Sequence, residues 1–190
     1  MYLKNKIIFI FIFLFSCQPL EILNPVDIDI SKLEKISINV NKIEIISNYN
    51  PIFSEENIED QIQNSPFDII FKWNENNIIK LGNENKLVIN ILDSSILKKE
   101  IDNANAKRYE EKTIFQYKIN LFVEYQLYDD NNFLVANTTV ESTRTTTSQK
   151  YISLSETEVI INDLLINAIN DFILEAKNQL SIYMIGYYII

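Results

Sequence analysis

Between Phe115 and Leu127 every second residue is apolar: Phe115, Tyr117, Ile119, Leu121, Val123, Tyr125 and Leu127, with mostly polar residues between them. Successive side chains of a strand point to opposite faces, so this stretch predicts one long strand with a buried face and a wet face. A sheet that is dry on one side needs a second layer to cover it. Two segments can supply that layer. "SPFDIIFKWNENNIIKLG" (65–82) offers Ser65 as N-cap, Pro66 at the first helical position, Asp68 near the positive helix end and Gly82 just past the C-terminus. Its Phe67, Ile70, Phe71, Asn74, Ile78 and Leu81 follow helical spacing, with Asn74 the one polar interruption. Further on, "SETE" (155–158) has the form of a capping box. The helix it predicts carries Ile161, Leu165, Ala168, Phe172, Ala176 and Leu180 on one stripe, widened by Val159, Ile166, Ile169 and Ile173, and runs to about Tyr183.

The other strands are shorter. "ISINVNKIEIIS" (36–47) alternates, but its phase shifts between Val40 and Ile43, which reads as a bulge or as a strand covered on both faces. "KLVINIL" (86–92) reads as an apolar strand, and the Thr-rich "FLVANTTVESTRTTT" (133–147) as an edge partner of the long strand. The turn between the last two is "DDNN" (129–132), which lacks the usual glycine. "NYNPIFSEENIEDQIQN" (48–64) reads as loop or short helix, and "DSSILKKEIDNANAKRYEEK" (93–112) as an irregular charged connection. The order is β-α-β-β-β-α. It predicts an α+β fold: a two-layer sandwich with a mainly antiparallel four-stranded sheet and two helices on one face, in a single domain spanning 35–190.

Charge and composition exclude several functions. The net charge is −9 across 190 residues, so the surface lacks the basic stripe that tracks phosphates, and nucleic acid is not an expected partner. With no histidine in the chain, the commonest metal ligand and the usual general base near neutral pH are missing. Glu55, Glu56, Glu59 and Asp60 read as a solvated charge run in preference to a cation site. "DDNN" has neither the central Gly nor the terminal Glu of a calcium loop. No Gly-flanked nucleophile is present. The expectation is therefore a non-enzymatic protein with no catalytic residue, no metal and no cofactor. Trp73, at helical spacing among apolar residues, reads as core. Arg144, at the end of the Thr-rich strand, reads first as an edge charge that discourages aggregation, and otherwise as a fork for a phosphate or carboxylate contact. The C-terminal "IYMIGYYII" places Tyr187 and Tyr188 beyond Gly186, which weakens the helix. These tyrosines either fold back onto their own sheet or insert into a partner or a membrane interface.

"IIFIFIFLFSC" (7–17) is about half the length that crosses a bilayer, since a spanning helix needs about 20 apolar residues. Lys4 and Lys6 before it, and Ser16 at its end, give the layout of a signal peptide over 1–16. "LFSC" (14–17) resembles the bacterial lipobox, with the bulkier Phe15 as its one departure. That resemblance implies cleavage before Cys17, a diacylglycerol on the thiol and an acyl chain such as palmitate on the new amine. The competing reading is an ordinary secretory leader followed by an incidental cysteine. Cys17 is the chain's one cysteine, so no internal disulfide is open to it. Three acyl chains exceed the two signals that stable anchoring takes. Residues 17–34 then read as lipidated cysteine and tether. Gln18 is not the Asp that resembles an inner-membrane retention signal, which favours the outer membrane.

Two family resemblances follow. The stretch 123–180 is similar to the LPS-assembly lipoprotein of Gram-negative bacteria: a strand, an acidic turn, a second strand ending near Arg144, then an acid-started amphipathic helix. The connection after Leu92 and the apolar C-terminus depart from that pattern. The chain more closely resembles uncharacterised alphaproteobacterial lipoproteins through "NIEDQIQNSP" (57–66), the helical Trp73, "INILDSS" (89–95) and the C-terminal helix. Neither resemblance carries catalytic residues. Together they imply an address in the cell envelope, with the domain in the periplasm. They also imply a partner such as an outer-membrane barrel or a lipid-transport complex. A module that holds a lipid or glycolipid between helices and sheet is the second possibility.

Overall fold

The alternating segment forms the longest strand of the computed structural model, which describes residues 28–52 and 54–189. Ten elements follow in order: β1 (Ile36–Ile38), β2 (Lys42–Ser47), α1 (Pro66–Asn77), β3 (Ile78–Lys80), β4 (Lys86–Asp93), β5 (Ile96–Asp102), β6 (Thr113–Tyr128), β7 (Leu134–Ser148), α2 (Leu154–Tyr183) and β8 (Tyr188–Ile189). Tyr117, Ile119, Leu121, Val123, Tyr125 and Leu127 of β6 are buried, and the residues between them are half-exposed. The buried row shares one core with Leu87, Ile89 and Ile91 of β4, Ile70 and Trp73 of α1, and Leu165, Phe172 and Ala176 of α2. The rings of Trp73 and Phe172 meet edge to face, 5.9 Å between centroids, and join the two helices over the sheet.

The sheet arrangement differs from a single four-stranded sheet. One sheet has five strands, ordered β2-β4-β6-β5 with β7 on the free side of β6; a second has three, ordered β3-β1-β8. Strands β4 and β5 lie end to end along the same side of β6: Lys86 pairs with Tyr128 and Asp102 with Thr113. The break between them is made by Asp93, whose carboxylate accepts the backbone N–H of Ser95 (3.0 Å). Residues 96–102 are therefore a strand, where the sequence reads as an irregular connection. Only Ile96 of that strand is buried, and pairing with β6 supplies what its pattern lacks. The phase shift seen in 36–47 is the break between β1 and β2, which run parallel to β3 and β4 respectively.

Helix α1 stops at Asn77, short of the predicted end at Gly82. Ile78–Lys80 instead pairs in parallel with Ile36–Ile38, and the Asn77 amide donates to the carbonyls of Leu33 (2.8 Å) and Ile30 (3.3 Å). Gly82 serves close approach: an added Cβ would lie 2.7 Å from the backbone of Asn39 and of Val40. In the turn 129–132, Asn132 adopts the left-handed conformation that glycine would otherwise take (φ 61°), and Asp129 accepts the N–H groups of Asn131 and Phe133. The capping box of α2 sits two residues earlier than predicted, at Ser153 and Glu156. Residues 28–34, expected as the end of the tether, pack on the domain. Ile28 is buried, the Trp73 indole donates to the Glu34 carbonyl (3.1 Å), and Glu34 pairs with Lys177 (2.8 Å).

Candidate functional site

Cys17 lies outside the described residues. The other candidates are placed. Arg144 faces α2 from β7, and its guanidinium makes a two-pronged pair with Asp171: Nε donates to one carboxylate oxygen and Nη2 to the other, the latter at 2.9 Å. Those hydrogen bonds hold the Asp171 carboxyl below the usual carboxylate range and push the Arg144 guanidinium up. The fork is thus filled from within the chain, and it fastens the strand to the helix. One turn away, Ser142 Oγ donates to the Ala168 carbonyl (3.0 Å) and does the same.

Tyr187 and Tyr188 fold back. The Tyr187 carbonyl accepts the N–H of Asn39 (2.7 Å), and Tyr188 pairs with Ile38 in the three-stranded sheet. Both rings are half-buried against the core. Gly186 turns the chain out of α2 with φ 86°, a conformation open to glycine.

The acidic run is tied internally as well. Glu59 accepts hydrogen bonds from the Tyr49 hydroxyl and the Asn57 amide (3.1 Å). Burial, with the Glu59 carboxylate beside it, pushes the Tyr49 phenol up. Among the described residues, no group of three His, Cys, Asp or Glu is placed to hold a metal ion. No helix among them is long and apolar enough to cross a membrane.

Three surface features remain, and sequence reasoning singled out only parts of them. The first is the outer edge of β7: fifteen residues whose one paired neighbour among the described residues is β6. The second is a groove of about 400 Å³ between α1 and the first strands, lined by Ile43, Ile45, Phe71, Glu75, Ile78 and Lys80. The half-buried Ile43, Ile45 and Phe71 mark where α1 leaves the sheet incompletely covered. The third is an apolar end of the molecule. The turns at Leu81 and Phe133 and the last turn of α2 there expose large side chains. The edge character of β7 is legible in its Thr-rich composition, but the alternation that found the strands carries no signal for the groove or the apolar end, since each is made by elements distant in sequence.

No family model matches the chain, and no curated protein matches it. Among solved structures, the chain is similar to a crystal structure of the rare lipoprotein B from Shewanella oneidensis, at 14% identity over 73% of this chain and 95% of that one, with a TM-score of 0.36. A superposition that loose carries no argument about what the chain does.

Proposed function

We propose that this chain is a non-enzymatic, lipid-anchored protein of the bacterial cell envelope, with its domain in the periplasm, that docks on a membrane partner in outer-membrane or LPS assembly. The anchor rests on Leu14-Phe15-Ser16-Cys17 and on the resemblances read from the sequence. The non-enzymatic reading is supported by the absence of histidine and by the engagement of the singled-out polar side chains, Arg144 and Glu59, in holding the fold. The docking reading is carried by one observation, the open edge of β7. An unpaired strand edge presents a row of N–H and C=O groups, and proteins usually blunt it with Lys, Pro or a bulge. Over Leu134–Ser148, β7 has no Lys and no Pro, its one register shift lies at its first residues, where Leu134 and Ala136 face Tyr128 and Leu127, and Arg144 turns inward to Asp171. Such an edge suits strand addition by a partner, with main-chain hydrogen bonds supplying the affinity.

The groove between α1 and β2 favours a second reading, a lipid or glycolipid-binding module, because Ile43, Ile45, Phe71 and Ile78 offer an acyl chain an apolar wall. Affinity purification of the full chain from detergent-solubilised membranes separates the two when protein and lipid are both analysed by mass spectrometry. A membrane protein recovered in stoichiometric amount is the expected result. Bound lipid with no protein partner would favour carriage, and recovery of neither would sink the docking reading.

A further inference from the structure

The apolar end of the domain is assembled from four separate parts of the chain. The N–H of Leu81 donates to the Ile38 carbonyl (2.9 Å), and that of Asn41 to the Glu84 carbonyl (2.8 Å), which sets the 81–85 turn beside the β1–β2 junction. The N–H of Asn85 donates to the Asp130 carboxylate (2.9 Å), which brings in the β6–β7 turn. Tyr188 pairs with Ile38, and Thr138 of β7 reaches Gln179 of α2 (3.3 Å), so the end of α2 and the C-terminal strand close the ring. On this ring Leu81, Phe133, Leu134, Ile182, Tyr183 and Ile185 are each between 52% and 78% exposed. The opposite end differs. Around 107–112 and 150 it carries Lys107, Arg108, Glu110, Glu111, Lys112 and Lys150, so that its exposed Tyr109, Tyr151 and Leu154 stand among charges.

We infer that this apolar end rests on the surface of the lipid bilayer, as a second contact besides the N-terminal acyl chains. The inference builds on the anchored reading above. The length of chain before the described residues argues for a bilayer as occupant. Ten residues, 18–27, separate Cys17 from Ile28, a stretch whose full extension is at most about 40 Å. The segment that follows is fastened near the apolar end: Glu34 pairs with Lys177, six residues and so about 9 Å of helix before Tyr183. A surface within reach of a short tether is met at a high effective concentration, so a weak interfacial affinity suffices. Side-chain chemistry agrees. Aliphatic residues and Phe133 project from turns and a helix end, and Tyr183 joins the half-buried Tyr187 and Tyr188, a residue type suited to a half-wet level. The carboxylates of Asp129 and Asp130 in the adjoining turn are engaged by backbone N–H groups, and the exposed Glu84 of the 81–85 turn stays at the wet rim of the ring. With a net charge of −9, the surface fitted is one of zwitterionic lipid, not an anionic one.

Single cysteines test this on the full chain in phosphatidylcholine vesicles whose upper acyl chains carry a nitroxide quencher. Phe133→Cys, Ile185→Cys and, as the opposite end, Tyr109→Cys each receive a fluorescent maleimide. Dye at 133 and 185 should be quenched at least about two-fold, and dye at 109 should not, for contact within the interfacial layer. Equal quenching at all three sites, or none at 133 and 185 in vesicle-bound protein, overturns the inference. In the unlabelled Phe133→Cys variant, a disulfide linking two copies would make this end a dimer contact and overturn it equally. The wild-type chain reports on the anchor separately, because a lipidated Cys17 takes no maleimide. If wild type is labelled, the anchored reading fails; if wild type is unlabelled and dye at 133 and 185 stays unquenched, the apolar end alone fails.

Discussion

Asn74 has no exposed surface, yet every polar atom of its amide that the core encloses has work: Nδ2 donates to the Ile70 carbonyl (2.8 Å) and Oδ1 accepts the Tyr125 hydroxyl (2.9 Å). In the sequence it reads as an interruption of an apolar stripe; in the structure it pins α1 to the C-terminal part of β6. Burial pushes the Tyr125 phenol up, which favours its protonated, donating form. Tyr125→Phe keeps the ring and leaves a buried acceptor unpaired, which should cost about 1–3 kcal/mol in urea unfolding. A loss below about half a kcal/mol would show that the amide finds another donor, because surface-like changes fall in that range. Trp73 was legible as core from its neighbours alone. Gly82 was not: a glycine after a helical pattern looks like a helix stop, and only the fold reveals the backbone of Asn39 and Val40 packed against it.

At the level of elements, strong periodicity identified β6 and α2, and weak periodicity misplaced their neighbours. The register of α2's start was ambiguous because "SLSETE" offers serines at 153 and 155, each with a glutamate three residues on. The structure selects Ser153, whose hydroxyl accepts the Glu156 N–H while the Glu156 carboxylate accepts the Ser153 N–H (2.8 Å). Ser153→Ala should therefore lower stability by about 1 kcal/mol, as lost N-caps do, whereas Ser155→Ala should change it little. Thermal unfolding of both variants checks this, and a larger loss at Ser155 would put the helix start two residues later. Helix α1 lost its last turn to tertiary pairing: Ile78 and Ile79 are β-branched, and a strand at 36–38 stood ready to pair with them. Strand β5 had no apolar pattern to read, since Lys98 lies over the rings of Phe115 and Tyr117 and Glu100 pairs with Lys150 (2.8 Å). Its identity as a strand resides in β6.

Across the whole molecule, the mixed α+β class and the two helices on one face were legible, because a single wet-and-dry strand requires them. The division into five- and three-stranded sheets was not, since it depends on a kink in two parallel strands and on a two-residue strand at the C-terminus. That last strand also explains why apolar residues close the chain: Tyr188 completes the sheet beside β1. The molecule that results has a fifteen-residue strand edge open at β7, one end rich in exposed apolar side chains and the other richer in charge. Such polarity suits a domain held in a fixed relation to a surface, and Cys17 is what we propose holds it. The mass of the N-terminal peptide of the mature protein, isolated from bacterial membranes after feeding a labelled fatty acid, tests that directly. The expected result is a chain beginning at Cys17 with a diacylglycerol on sulfur and an acyl group on nitrogen, and a Cys17→Ala variant that stays uncut and unlabelled. A mature chain that begins elsewhere, carries a free thiol at Cys17, or is labelled as strongly in the variant would contradict it.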